Sequence, residues 1–514
     1  MLYLRDAVSP LSGGFDIIHR ITLILGTCVV LYAFHIVVQG IINVYFHPLS
    51  HVPGPKLWIA FPFVRFVTAM RGTMDEHIRY WHGFYPIIRI SPNELSFTSA
   101  EAWIDIHGPR NNPELPRDLS FNPGPANDII RADTTEHSRF RKALSYGFSD
   151  RGLRAQEDLI RGYVDLLMTK LRDAAEASAP CDLVLWFNYL TFDIIGDLAY
   201  GQSFNCLKSG VMHEYIANLL KIIPTRPIVN GAAEFPVLAF LLKHILMSKR
   251  VTETRQRTID FAISTINKRL NDGSKQGRAD FVDAMSRNKD TPEGFTELEM
   301  ASNALIILAA GSETTATLLA GATYFLLRNP HALARATNEV RTAFQTQDDI
   351  TIATTASKIP YTLACIEETF RIYPPVANSN PRVTVRPSTT IAGLALPAGT
   401  KVGVHHSAAY WSPRNFTRPR DFLPERWLKE NQREGAEFAH DNRAALQPFN
   451  MGPRNCIGQN LAWAEIRLVL ARLLWGFDLS FADEAATRDW EVQKSYTVWI
   501  KKPLPVMFRA RDDL

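Results

Sequence analysis

The stretch Phe449-Asn450-Met451-Gly452-Pro453-Arg454-Asn455-Cys456-Ile457-Gly458 decides how this chain is read. One cysteine sits between two glycines, an arginine precedes it by two positions, and an apolar helical pattern over 461–474 follows. That spacing predicts a thiol near a helix N-terminus, where free backbone N–H groups and the positive end of the helix dipole lower its pKa and favour a metal-binding thiolate. Gly452 and Gly458 are expected to let the backbone approach a flat group closely and to adopt φ > 0. Phe449 is placed to cover the sulfur. The competing structural reading is a buried, inert cysteine after a Gly-Pro turn.

Around this segment lie 514 residues with 46% hydrophobic content, enough for one large core and a single globular unit. Basic and acidic residues nearly balance, 56 against 52, which argues against a nucleic-acid footprint. The five cysteines are few, odd in number and scattered, so a disulfide framework is not expected and a reducing compartment is. Zinc is disfavoured because Cys456 has no second Cys or His ligand near it in sequence.

Near the N-terminus, ITLILGTCVVLYAFHIVV (21–38) has no formal charge apart from what His35 takes up, and apolar residues continue through Ile41, Ile42 and Tyr45. A single-pass membrane anchor over 21–42 is expected after a lead segment 1–20. A cleaved signal peptide and a buried helix compete with that reading. His47-Pro48-Leu49-Ser50-His51-Val52-Pro53-Gly54-Pro55 cannot continue a helix, so 43–56 reads as a Pro-rich hinge and 57–514 as the main domain. Arg65, Arg71 and Arg79 on one side and Arg5, Arg20 and Asp6 on the other do not fix the anchor's orientation.

No internal repeat or Gly/Ser linker divides the rest. Helical periodicity covers 155–174, 252–270, 296–327 and 329–344, with short β-like runs at 87–90, 389–392 and 401–404, so the fold class is mainly α with small β-sheets. The polar stretch 271–290 reads as an exposed loop.

Within the long apolar run lies Ala310-Gly311-Ser312-Glu313-Thr314-Thr315. An acid and hydroxyls in such a helix are costly unless used. Gly311 weakens the helix and a threonine can bond back to a carbonyl, so a local kink is expected. A solvent-facing Glu313 with Thr314 merely back-bonding is the alternative. Glu368-Thr369-Phe370-Arg371 places opposite charges on one helix face, by itself an ordinary surface pair. Pro374-Pro375 then ends that helix, and Phe422-Leu423-Pro424-Glu425-Arg426-Trp427 follows downstream.

Taken together these segments resemble the cytochrome P450 superfamily. The cysteine decapeptide matches its F-x-x-G-x-R-x-C-x-G signature at every fixed position, and 310–315 is similar to its [A/G]-G-x-[D/E]-T-[T/S] motif, with Glu where Asp is more frequent. The resemblance implies the P450 fold as a single catalytic domain, with haem b (iron protoporphyrin IX) bound through Cys456 as axial iron ligand. It implies Glu313 and Thr314 as the acid–alcohol pair that relays protons to O2. Glu368, Arg371 and Arg426 become a buried structural network. Arg454, Arg382 in Asn380-Pro381-Arg382-Val383, and Arg141 in His137-Ser138-Arg139-Phe140-Arg141-Lys142 are the propionate partners, with His137 where the family usually has tryptophan. Arg139 and Lys142 are expected to face solvent, where they help an acidic redox partner dock.

The implied activity is a monooxygenase that inserts one oxygen atom of O2 into a lipophilic substrate by hydroxylation or epoxidation. The substrate pocket is expected to use Leu305, Leu308 and Ala309 on the central helix, Val376 and Ala377 after the proline turn, and Tyr496, Thr497 and Val498 near the C-terminus. No G-x-G-x-x-G or P-loop fingerprint is present, so electrons are expected from a separate protein. The family precedent is a diflavin NADPH-cytochrome P450 reductase, with the catalytic domain on the cytoplasmic face of the endoplasmic reticulum. The segments Tyr45-Phe46-His47-Pro48-Leu49-Ser50, Ile90-Ser91-Pro92-Asn93-Glu94-Leu95-Ser96-Phe97 and the run after Ser312 look like filamentous-fungal members acting on terpenoid, polyketide or alkaloid intermediates. Two other functions compete: an O2-independent haem-thiolate isomerase or dehydratase, which has no use for Glu313-Thr314, and a non-enzymatic membrane-tethered binding protein.

Overall fold

The computed structural model describes residues 11–511 apart from 109–113, 122, 236–239, 241–248, 273–279, 287–293 and 379. Its axis is a 32-residue helix, Glu297–Arg328, opened by a capping box in which Thr296 and Glu299 satisfy each other's backbone N–H groups. From Ala316 to Leu327 every residue of this helix is buried. It therefore runs as a core helix, enclosed by Leu183–Tyr200, Lys249–Asn271 and Gln459–Gly476.

The sheets are small and sit at the margins. Ile87–Ser91, Glu94–Phe97, Lys401–Val404 and Arg382–Val383 lie in that order in a four-stranded sheet. Cys181–Asp182, Pro505–Ala510 and Phe477–Phe481 form a three-stranded one. Two hairpins complete the set among the described residues, Thr389–Ile391 with Leu394–Leu396 and Ser495–Tyr496 with Val498–Trp499. The mainly α reading with small sheets holds.

At the N-terminus, Leu11–Ile41 is one helix, continued by a wider π turn over Ile42–Phe46. Within it His19–Phe46 is long and apolar enough to cross a membrane, and its most apolar stretch lies outside the folded domain, which makes it a candidate anchor. The Pro-rich segment behind it is docked, not a free linker. Leu49 and Val52 are buried, the Arg89 N–H donates to the Pro53 carbonyl at 2.7 Å, and a Cβ on Gly54 would lie 2.0 Å from the Arg89 oxygen.

Two expectations change. Part of 271–290 lies outside the described residues, but Phe281–Ser286 is a helix and not exposed loop. Phe281, Val282, Ala284 and Met285 are buried, Asp280 caps the turn by accepting from the Asp283 N–H at 2.8 Å, and Phe281 stacks on Phe148 with centroids 4.2 Å apart. The central helix is also unbroken across 310–315. Gly311 serves packing instead of a kink, since a Cβ there would meet Ile195 at 3.0 Å.

Candidate active site

The loop before Gln459–Gly476 presents Cys456. Its N–H donates to the Phe449 carbonyl at 2.8 Å, and the Asn455 N–H to the Gly452 carbonyl at 3.1 Å, which curls the backbone beneath the thiol. Gly452 is held at φ +75°, and a Cβ would lie 1.8 Å from the His107 carbonyl oxygen, so its need for glycine comes from packing against backbone. Gly458, the helix N-cap, has φ −86°, and a Cβ would make only ordinary contact with Phe148 at 3.6 Å. The positive φ expected at Gly458 is absent. Phe449 lies edge-on to Phe370, centroids 5.2 Å apart, on the wall beside the cysteine.

The lowered thiol pKa expected at Cys456 is also not what the protein alone produces. Burial pushes the thiol up, and the Gly458 N–H and the Arg141 guanidinium oppose that only in part.

Cys456 opens onto a cavity of about 360 Å³ bounded on the far side by the central helix. The cavity face of that helix is Ile306, Ile307, Ala310, Gly311, Thr314, Thr315 and Leu318. Leu305, Leu308 and Ala309 are not on it, and Leu308 is wholly buried against the surrounding helices. Val376 is on the wall, cross-bridged to Val498. Ala377, Tyr496 and Thr497 instead line a second, smaller cavity of about 150 Å³ that shares Asp118, Phe121, Asn378 and Pro381 with the first.

Basic groups collect at one edge of the main cavity. Arg141, Arg382, Arg454 and His137 all line it, joined by Arg117, which sequence reading missed. Arg141 donates to the Asn455 carbonyl at 2.7 Å and to its side-chain oxygen at 2.5 Å. Arg454 reaches the Glu114 carboxylate at 2.6 Å and the Ala132 carbonyl at 2.9 Å. Arg382 lies 3.2 Å from the same carboxylate, while its buried Nε has no hydrogen-bond partner among the described residues. Burial and the neighbouring Arg454, Arg141 and Arg382 push His137 down to about 4, so it is neutral near pH 7 and can donate one hydrogen bond. Arg139 is not free at the surface: it pairs with Glu136 at 2.6 Å and Glu299 at 2.5 Å and ties its helix to the central one. Lys142 is exposed.

The acid and the alcohol of 310–315 diverge. Thr314 faces the cavity and its Oγ1 donates back to the Ala310 carbonyl at 2.7 Å. Glu313 is neither on solvent, being 7% exposed, nor on the cavity wall; its carboxylate is ion-paired with Lys501.

Behind the cysteine loop, Glu368, Arg371 and Arg426 have wholly buried side chains. The Glu368 carboxylate accepts from Arg371 at 2.7 and 2.9 Å, from Arg426 at 3.1 Å, from Trp427 Nε1 at 2.9 Å and from the Leu423 N–H at 2.8 Å. Arg426 also pairs with Asp441 at 2.5 Å, a fourth member that no local pattern announces.

A P450 fold with a cysteine loop, a helix bearing a threonine across a cavity, and a cluster of arginines at its edge defines a haem-thiolate class of protein. The family model for cytochrome P450 matches residues 52–508, and the chain belongs to that family. It is 43% identical to a trichothecene C-4 hydroxylase of Trichoderma arundinaceum, over 90% of this chain and 92% of the relative. It is 40% identical to the cytochrome P450 monooxygenase olcB of Penicillium canescens, over 95% and 98%, and to an averantin hydroxylase of Dothistroma septosporum, over 91% and 88%. The protein is therefore a P450 monooxygenase, an oxidoreductase that uses haem, O2 and electrons from a redox partner, and the non-enzymatic reading falls away.

The residues present fit a haem. The arginine cluster already holds one carboxylate, that of Glu114, between Arg454 and Arg382, and the Arg382 Nε, unpaired among the described residues, can take another. The cavity separates the thiol from Thr314 with largely apolar walls, which suits a flat apolar ring with carboxylates at one edge.

Proposed function

We propose that this chain is a membrane-anchored monooxygenase that hydroxylates or epoxidises a lipophilic intermediate of fungal secondary metabolism, of terpenoid, polyketide or alkaloid class. The observation that carries this reading is the cavity, with Cys456 on one wall and Ile306, Ile307, Ala310 and Thr314 opposite. Apolar walls favour an apolar substrate, and the relatives named for a trichothecene and for averantin support the secondary-metabolic setting.

In this reading Cys456 holds the iron of haem b. Arg454, Arg382, Arg141 and neutral His137 hold the propionates, with Phe449 and Gly452 shaping the cysteine loop. Bound there, the haem supplies thiolate-assisted O–O cleavage. Thr314 presents a hydroxyl to the cavity, and Glu313 is the acid behind it. The apolar walls exclude water from the reacting face. Electrons come from NADPH through a diflavin reductase at the cytoplasmic face of the endoplasmic reticulum, where the His19–Phe46 anchor would hold the domain.

The test is the absorption spectrum of the reduced, carbon-monoxide-bound protein. Wild type gives the red-shifted thiolate Soret band and Cys456→Ser does not. A wild type that binds haem without that band overturns the reading. Thr314→Ala and Glu313→Ala keep the band but release peroxide in place of product, and unchanged coupling in both removes the relay.

A further inference from the structure

Behind the proline turn that forms part of the cavity wall, four oxidisable aromatic side chains lie in unbroken contact. Pro374 lines the cavity, and its carbonyl accepts from Trp499 Nε1 at 2.7 Å. The Trp499 ring stacks on Tyr373 with centroids 5.5 Å apart, Tyr373 meets Trp490 at 5.5 Å, and Trp490 meets Tyr324 at 5.0 Å. Each of the four is between 1% and 4% exposed. The chain of rings runs from the wall to the last turns of the central helix, beside the exposed residues Arg488 and Asp489.

Contact alone would be ordinary core packing, since buried Tyr and Trp satisfy their polar tips. The four rings differ in what their polar hydrogens can be handed to. Trp499 donates to the Pro374 carbonyl, Trp490 Nε1 to the Lys502 carbonyl at 2.8 Å, and the Tyr373 hydroxyl to the Gln493 side-chain oxygen at 2.7 Å. An amide oxygen accepts a hydrogen bond but does not take the proton. Tyr324, at the outer end, donates to the Glu491 carboxylate, with the Arg488 carbonyl 2.9 Å from the same hydroxyl. A carboxylate is a base. Burial and that carboxylate push the Tyr324 phenol above its usual value, so it keeps its proton until the ring is oxidised.

We propose that Trp499, Tyr373, Trp490 and Tyr324 form an electron-transfer chain that drains unspent oxidising equivalents from the cavity and ends in a tyrosyl radical at Tyr324. The proposal rests on the reading above that this cavity holds haem and activates O2. When O2 is cleaved with no substrate in place, two one-electron oxidising equivalents stay at the cavity. Trp499 gives an electron to the cavity, and the vacancy passes through Tyr373 and Trp490 to Tyr324. Tyr324 loses one electron, and its phenolic proton goes to Glu491. A small thiol in solvent then returns the electron, and the proton comes back from Glu491. The thiol's own proton goes to water, and two thiyl radicals pair as a disulfide. Two such passes, with two protons from water, release the remaining oxygen atom as water.

The test uses the full-length, haem-loaded ferric protein without substrate, mixed with hydrogen peroxide and freeze-quenched for electron paramagnetic resonance. Wild type gives a tyrosyl radical signal, and Tyr324→Phe, which removes one oxygen from a packed ring, abolishes it. Glu491→Gln keeps an acceptor but no base and lowers the radical yield severalfold. Trp490→Phe fills the gap with a ring that is not oxidised, and it also loses the signal. With reductase and NADPH but no substrate, added glutathione slows bleaching of the haem severalfold in wild type and not in Tyr324→Phe. If Trp490→Phe does not fold, Tyr324→Phe and Glu491→Gln are read without it. A tyrosyl signal in Tyr324→Phe as strong as in wild type, or equal protection of both by glutathione, overturns the proposal. Wild type that lacks the thiolate Soret band overturns the haem reading instead, whereas wild type that shows the band and gives no radical at Tyr324 overturns the electron-transfer chain alone.

Discussion

Glu368 and Arg426, 58 residues apart in sequence, are both wholly buried and lie 3.0 Å apart, with Arg371 on the other side of the same carboxylate. Removing one partner strands a buried charge, which costs about 3–5 kcal/mol. Arg426→Met should lower Tm and haem content together. The paired charge on Asp441, 2.5 Å from Arg426, predicts that Asp441→Asn is also destabilising, by a smaller amount because the amide keeps one hydrogen bond. Thermal denaturation of the two variants checks the order; a fully stable Arg426→Met would contradict it.

Gly452→Ala should damage the cysteine loop although it adds one methyl group. The new Cβ would sit 1.8 Å from the His107 carbonyl oxygen at a residue with φ +75°. The left-handed conformation alone costs about 1–2 kcal/mol for alanine, and the overlap with backbone adds to it. Gly458→Ala, with no φ penalty and nothing nearer than 3.6 Å, should be close to neutral. Haem content and Tm of the two variants decide; equal behaviour would refute the distinction.

Glu465 on the helix behind Cys456 is buried, lines the cavity, and has neither carboxylate oxygen hydrogen-bonded among the described residues. Burial pushes its carboxyl from the usual 4.5 up to about 8. Between those two values the folded chain holds a proton that the unfolded chain has lost, so its contribution makes stability fall as pH rises through that window. Glu465→Gln cannot titrate. Denaturation midpoints from pH 5 to 8 should show the variant gaining on wild type as pH rises, and parallel curves would show that this group does not couple to folding.

At the basic edge, Arg454 and Arg382 share the Glu114 carboxylate at 2.6 and 3.2 Å. If these guanidiniums serve a propionate, Arg454→Leu and Arg382→Leu should speed haem loss to a haem-accepting protein. Glu114→Gln removes a competing carboxylate and should slow it or leave it unchanged. Faster haem loss in Glu114→Gln than in either arginine variant would invert the assignment.

The segments that read plainly in the sequence are contiguous ones. Cys456, its glycines and the arginine two positions before it lie within ten residues, and the candidate anchor and the central helix announce themselves by unbroken apolar length. Such signals survive without tertiary knowledge because hydrophobic periodicity and backbone freedom act locally. Even there the phase of a helix stays undetermined: an apolar run shows that 305–310 is buried but not which face meets the cavity. Packing against Leu183–Tyr200 and Gln459–Gly476 turned Ile306, Ile307 and Ala310 inward and put Leu308 in the core.

Partners far apart in the chain came only with the tertiary structure. Lys501 lies 188 residues from Glu313, Asp441 belongs to no motif, and Glu114 meets Arg454 across 340 residues. The energy of such ion pairs comes from shared burial, which a linear pattern does not record. By itself the sequence determined the family, the candidate ligand cysteine and the adjacency of an acid and an alcohol on one helix. Tertiary structure alone decided that the alcohol faces the cavity while the acid is turned from it onto a lysine, because helical geometry separates adjacent side chains by about 100° and the C-terminal segment fills the second direction.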